Sequence, residues 1–169
     1  MSLKVLKFGG SSLADAEHFR AVADIVKSEP ERKYVVASAP GKRNSSDIKV
    51  TDMLYECYEL AVNDEDITDI FDQIKSRYTD IIDDLGIDLD LTEVFEKIKS
   101  SIAHNAGRDY VASRGEYLNA MILAKYLEFD FVDAKKVIFF KEDGSFDSER
   151  TNDVMKAYLK NHSVEIFTA

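Results

Sequence analysis

A chain of 169 residues, 45% hydrophobic and 32% charged, is long enough to bury a core without disulfides or metals, and its length fits one domain or one and a fraction. Its net charge of −10, from 22 basic against 32 acidic side chains, argues against nucleic acid and anionic membrane surfaces as partners and requires any anionic ligand to find locally placed cations. The single cysteine, Cys57, rules out an internal disulfide and suits a reducing compartment, the stretch before Lys4 does not read as a signal peptide, and no run approaches the roughly 20 apolar residues of a bilayer span.

Residues 4–8, "KVLKF", read as a short strand that breaks into "GGSS". The run "SSLADAEHFRAVADIVKS" has helical spacing, with Phe19, Val22, Ile25 and Val26 on one face and Ser12 and Asp15 in the pattern of a capping box. "EPERK" interrupts it, "YVVASAP" is a second strand, and "PGKRNSSD" is a polar loop opened by Pro40 and Gly41, either a mobile cover for a site or a plain surface loop. From residue 50 to 127 there is no proline and helical spacing dominates: Met53, Leu54, Tyr58 and Ala61; Ile67, Ile70, Phe71 and Ile74; Val94, Phe95 and Ile98; Tyr117, Leu118, Met121 and Ile122. Three to five helices are expected there. Strands return in "FDFVDAKKVIFF", Asp143-Gly144 marks a turn, "SERTNDVMKAYLKNH" is a helix and "SVEIFTA" a last strand. This order predicts an α/β fold with a mainly parallel sheet and a helical insertion. Because the last strand has no helix after it, the chain is expected to be the first part of something longer.

Chemistry concentrates at the first turn. Gly9 and Gly10 after a strand let backbone approach a ligand and permit the positive φ that gathers N–H groups into a nest. Ser11 and Ser12 add hydroxyls, the following helix aims its positive end at the same point, and Lys7 supplies a full charge. These are the parts of a phosphate cradle, although the spacing is neither a Walker A loop nor a dinucleotide fingerprint. A strand, tight turn and helix cap is the competing reading.

Elsewhere the plain readings prevail. Thr51 beside Asp52 reads as an N-cap, and Glu116 alone as a surface carboxylate at a helix start. "DDLGIDLDLTE" and "EDGSFDSE" lack calcium-loop spacing, and His18, His104 and His162 lack ligand spacing to one another or to Cys57, so no metal site is expected. Cys57 reads as a small core residue.

Several motifs, in order, resemble one family. "KFGGSS" followed by "ADAEHFRAVADIV", then "VVASAPGKR…VTDML", "SRGEYLNAMILAKYL" and "VDAKKVIF" resemble the aspartokinases of the amino-acid kinase family across nearly the whole chain. The resemblance implies a three-layer α/β/α sandwich. It implies a cytoplasmic, homo-oligomeric enzyme that uses ATP and Mg²⁺ to phosphorylate the side-chain carboxylate of L-aspartate, giving 4-phospho-L-aspartate for lysine, threonine and methionine synthesis. By the family pattern Lys7, Gly9, Gly10 and Ser11 contact the transferring phosphate, with Lys7 catalytic, while Ser38, Thr51 and Glu116 bind the substrate. Asn119 departs from the serine the family often carries after "GEYL". The family's glycine-rich "GRGGSD" segment has no counterpart here, nor have the regulatory ACT domains. Residues 1–169 are therefore expected to be the N-terminal, substrate-binding part of a kinase domain, inactive alone. The alternatives are another amino-acid kinase, acting on glutamate, a carbamate or a nucleotide, and a non-catalytic binding domain on the same fold.

Overall fold

The computed structural model describes residues 3–160 and 165–168. Strand β1 (Lys4–Phe8) leads through a 3₁₀ turn (Gly10–Leu13) into helix α1 (Ala16–Lys27), and β2 (Arg32–Ala37) follows. A loop then enters four consecutive helices, α2 (Val50–Val62), α3 (Thr68–Leu85), α4 (Thr92–Ala103) and α5 (Arg108–Leu127). The chain ends with β3 (Asp130–Val132), a 3₁₀ turn (Ala134–Lys136), α6 (Ser148–Leu159) and β4 (Glu165–Thr168). The four strands form one sheet in the order β1-β2-β4-β3, every pair parallel, with Phe8 opposite Ala37 and Val35 opposite Ile166. Parallel pairing brings the carboxyl ends of all four strands to one edge.

Helix α5 organises the interior. It packs on β2, β3 and β4 and also receives α2, α3 and α4. A helix contacted on so many sides cannot keep a polar face, and Leu118, Asn119, Ala120, Ile122 and Leu123 are all completely buried. The outer helices are amphipathic, and their inward residues are those the spacing predicts: Met53 and Leu54; Ile67, Ile70, Phe71 and Ile74; Phe95 and Ile98. Cys57 lies in this core, where burial pushes its thiol up to about 12, so it behaves as a small apolar residue. No helix among the described residues is long and apolar enough to cross a membrane.

Three local expectations are corrected. The 3₁₀ turn separates Ser12 from α1, so Asp15 is the N-cap and its carboxylate accepts from the His18 amide at 3.0 Å. On α1, Ile25 is 45% exposed and Ala23 occupies the buried stripe beside Phe19, Val22 and Val26. The second strand in "FDFVDAKKVIFF" does not form. Asp133 caps the 3₁₀ turn by accepting from Lys135 N at 3.1 Å, and beyond it only a single bridge joins Phe140 to Phe146. The Asp143-Gly144 turn between those two residues is present, with Gly144 at φ 80°. His162 and parts of the last helix and last strand expectations lie outside the described residues.

Asp15→Ala should lower folding stability by about 1 kcal/mol, whereas Ser12→Ala should have a much smaller effect. Urea midpoints of the two variants at unchanged m-value check the assignment. A larger loss in Ser12→Ala contradicts it.

Candidate functional site

Because β1 and β2 end side by side, the loops that follow them meet at the carboxyl edge of the sheet. The Ser38 amide donates to the Phe8 carbonyl at 3.1 Å, and the Gly41 amide donates to the Gly10 carbonyl at 2.8 Å. This second bond leaves no room for side chains. A Cβ on Gly10 would lie 2.8 Å from the Ala39 oxygen, and one on Gly41 would lie 2.6 Å from the Gly10 carbonyl carbon. Glycine is therefore required here by proximity. The nest of left-handed residues expected at Gly9-Gly10 is not formed: Gly9 has φ −79°, and the glycines with positive φ are Gly86 and Gly144.

Helix α5 closes the third side. Gly115 abuts the second loop, since a Cβ there would stand 2.7 Å from Ala39 Cβ. Its carbonyl accepts from the buried Tyr78 hydroxyl of α3 at 2.8 Å. One helical turn further on, Asn119 Nδ2 donates to the Ser38 carbonyl at 2.6 Å. Asn119 is thus a fully buried tether for the loop after β2, a role its position after "GEYL" does not reveal.

These contacts enclose an open cleft of about 470 Å³. Its lining includes Gly10, Ser11, Ser38, Thr51 and Glu116, five of the seven residues singled out by sequence. Lys7 and Gly9 are not in the lining. They lie next to it at the end of β1, where exposed Lys7 places Nζ 3.8 Å from the point a Gly9 Cβ would occupy. Thr51 is not an N-cap: Lys49 holds that position and Thr51 sits inside the first turn of α2. The cleft also contains Gly41, Lys42 and Lys49, which sequence reasoning did not assign. For Gly41 and Lys42 the signal was the basic "GKR" in an acidic chain.

Electrostatically the cleft carries both signs. Burial raises the pKa of the Glu116 carboxyl, opposed by hydrogen bonding with the backbone, including Ala39, and by the charge of Arg114. The two lysines supply positive charge on the facing loop. Such a lining suits a ligand with both an ammonium and carboxylates. A second cleft, about 530 Å³, is lined by residues that include Asp69, Asp72 and Gln73 and shares none of the predicted site residues. Among the described residues no group of three or more His, Cys, Asp or Glu could hold a metal ion. His18 and His104 make local contacts, with Asp15 and the Ser100 carbonyl, each at 2.7 Å.

Residues 2–168 match the amino acid kinase family, and the chain belongs to that family. Within it, the relatives are aspartokinases. The chain is 36% identical over 143 residues to aspartokinase 3 of Bacillus subtilis, covering 80% of this chain and 31% of that protein. Aspartokinase 1, chloroplastic, of Arabidopsis thaliana is 30% identical over 147 residues, 81% of this chain and 25% of its own. The crystal structure of Clostridium acetobutylicum aspartate kinase superposes with a TM-score of 0.96 at 44% identity, over 99% of this chain and 39% of that one. Escherichia coli aspartokinase III, in complex with aspartate and ADP, shares the fold at a TM-score of 0.76 and 19% identity, over 98% of this chain and 40% of that one. The chain thus spans between a quarter and two-fifths of the length of these relatives.

A carboxyl whose pKa is raised by folding affects stability with a definite sign. The stability Glu116 contributes is full below its usual value of 4.5, when it is protonated, and is lost as pH rises through the raised value. Glu116→Gln cannot ionise, so its melting temperature relative to the parent should be higher at pH 7 than at pH 4. Thermal scans at both pH values test this. A relative melting temperature that stays constant or falls toward pH 7 contradicts it.

Proposed function

We propose that this chain is the acceptor-binding part of an aspartate kinase, which transfers the γ-phosphoryl group of ATP to the side-chain carboxylate of L-aspartate. The observation that carries the proposal is the convergence of Ser38, Thr51 and Glu116 with the Gly10-Ser11 turn in one cleft of mixed charge. The 44% identity to an aspartate kinase over 99% of the chain supports it. In this reading the substrate ammonium pairs with Glu116, which gains a counter-ion for a charge that burial disfavours. The substrate carboxylates lie toward Lys42, Lys49 and the Ser38 and Thr51 hydroxyls.

The chemistry asks for little more than placement and charge. An aspartate side-chain oxygen attacks the γ-phosphorus, a P–O bond to it forms, the bond to the β-phosphate bridging oxygen breaks, and ADP leaves with that electron pair. The nucleophile is already ionised, so no strong general base is needed. The obstacle is repulsion between carboxylate and triphosphate. In this reading Lys7, an exposed cation at the end of β1, offsets it, and N–H groups of the Gly9–Ser11 turn hold the phosphoryl oxygens. Mg²⁺ in this reading accompanies the nucleotide phosphates, because the cleft lining offers one carboxylate, Glu116, too few for an all-protein site. By the same resemblance residues 1–169 form the N-terminal part of the kinase domain, with the nucleotide-binding part and the ACT domains outside it. The enzyme is cytoplasmic and homo-oligomeric, and its product feeds lysine, threonine and methionine biosynthesis.

In the enzyme carrying this segment, aspartate-dependent ADP release is the assay. Lys7→Ala should lower kcat strongly. Glu116→Gln should raise KM for aspartate about ten-fold or more, with a smaller change for ATP, since a hydrogen bond to a charged group contributes roughly 1.5–3 kcal/mol. Residues 1–169 alone should release no ADP above background. Loss of ATP affinity with aspartate KM untouched in Glu116→Gln overturns the role of that residue, and turnover by the 169-residue chain overturns the division of the domain.

A further inference from the structure

We infer that Arg77, on α3, is a positioning residue for the cleft: its guanidinium ties the turn after β1 to the loop after β2 and so sets the spacing between Gly10-Ser11 and Ser38-Thr51. The inference rests on reading that cleft as the acceptor site.

Arg77 is only 5% exposed. Its Nη2 donates to the Gly41 carbonyl at 2.9 Å and to the Ala14 carbonyl at 3.4 Å. Its Nη1 donates to the Ile48 carbonyl at 3.1 Å and pairs with Asp47 Oδ2 at 2.9 Å. Ala14 follows the turn that carries Gly10 and Ser11, while Gly41, Asp47 and Ile48 belong to the loop that carries Ser38, Lys42 and Lys49. One side chain therefore spans both walls of the cleft from behind. Asp47 is further gripped by Arg43, whose Nε and backbone amide each reach Oδ2 at 2.9 Å, and these bonds hold its carboxyl well below the usual carboxylate range.

The loop needs such a tether. Residues 38–49 contain neither helix nor strand, and 42–46, 48 and 49 are exposed, so little apolar burial holds them. Burying a guanidinium is costly, and an apolar side chain would fill the space with less desolvation. It would not bind carbonyls from two separate segments. The planar fork of arginine does so, and the single ammonium of lysine cannot reproduce it.

The test uses Arg77→Met, Arg77→Lys and Asp47→Asn in the enzyme carrying this segment, with two readouts. Amide hydrogen exchange should speed up in residues 9–14 and 38–50 and stay unchanged in α4. KM for the carboxylate acceptor should rise about ten-fold in Arg77→Met, with nucleotide KM nearly constant, and by a smaller factor in Arg77→Lys and Asp47→Asn. If Arg77→Met fails to fold, the other two variants decide. Unchanged exchange in the two loops, or a rise spread equally over α4, overturns the inference. So does loosened loop exchange with an unaltered acceptor KM. Exchange involves no substrate: if the loops loosen while even the parent enzyme phosphorylates no aspartate, the substrate assignment fails and the tether stands.

Discussion

The Gly41 amide and the Gly10 carbonyl meet at 2.8 Å, and the site depends on backbone approaching backbone this closely. Parallel pairing of β1 and β2 delivers the two loops to the same edge, but adjacency alone would leave them as separate surface loops. Contact without side chains converts them into one wall. Each glycine excludes a β-carbon for the benefit of the other loop: at Gly10 the obstacle is Ala39, and at Gly41 it is Gly10 itself. Gly115 extends the same logic to α5, where the absence of a side chain lets Ala39 lie against the helix and brings Glu116 to the cleft.

The helical block is the support that makes this arrangement hold. α5 is buried on the sheet and under α2, α3 and α4, and it offers the loop after β2 a fixed surface. From that surface come the Asn119 bond to Ser38, and from α3 come the Tyr78 bond to Gly115 and the Arg77 bonds to the loop. α5 thus both lines the cleft, through Glu116, and holds it, through Gly115 and Asn119, while α3 supports it without lining it. The chain is acidic overall at −10, yet Lys42 and Lys49 line the same cleft as Glu116.

Much of this was legible in the sequence, and the failures have identifiable causes. Helical faces such as Ile67, Ile70, Phe71 and Ile74 follow from a 3.6-residue period because one side of an outer helix must be apolar. The period is coarser at the stripe's margin, which is why Ile25 and Ala23 exchange places. The strand expected in "KVIFF" has β-branched and aromatic residues, but among the described residues it pairs only through the Phe140–Phe146 bridge, and composition cannot supply a fuller partner. The "KFGGSS" turn was legible as a candidate site because glycine, lysine and hydroxyls cluster after a strand, whereas Ser38, Thr51 and Glu116 entered only through the family resemblance, Thr51 and Glu116 otherwise reading as an N-cap and a surface carboxylate. The site's supports were not legible. No expectation attached to "KSRYTD", and only the packing of α3 against the loops shows that Arg77 is buried and forked across two segments. Asn119 is hidden for the same reason: a polar residue in an apolar helix shows its meaning only when its partner is located.

The central claim is that the cleft between the two loops receives an amino dicarboxylate through Glu116 and the facing loop. Titration of the ¹⁵N-labelled chain with L-aspartate, and in parallel with succinate, which lacks the ammonium, tests it most directly. Aspartate should shift the amides of Gly10, Ser11, Ser38, Thr51 and Glu116, and succinate should shift them much less. Perturbations centred on Asp72 and Gln73, equal responses to the two ligands, or no response at saturating aspartate would contradict the account.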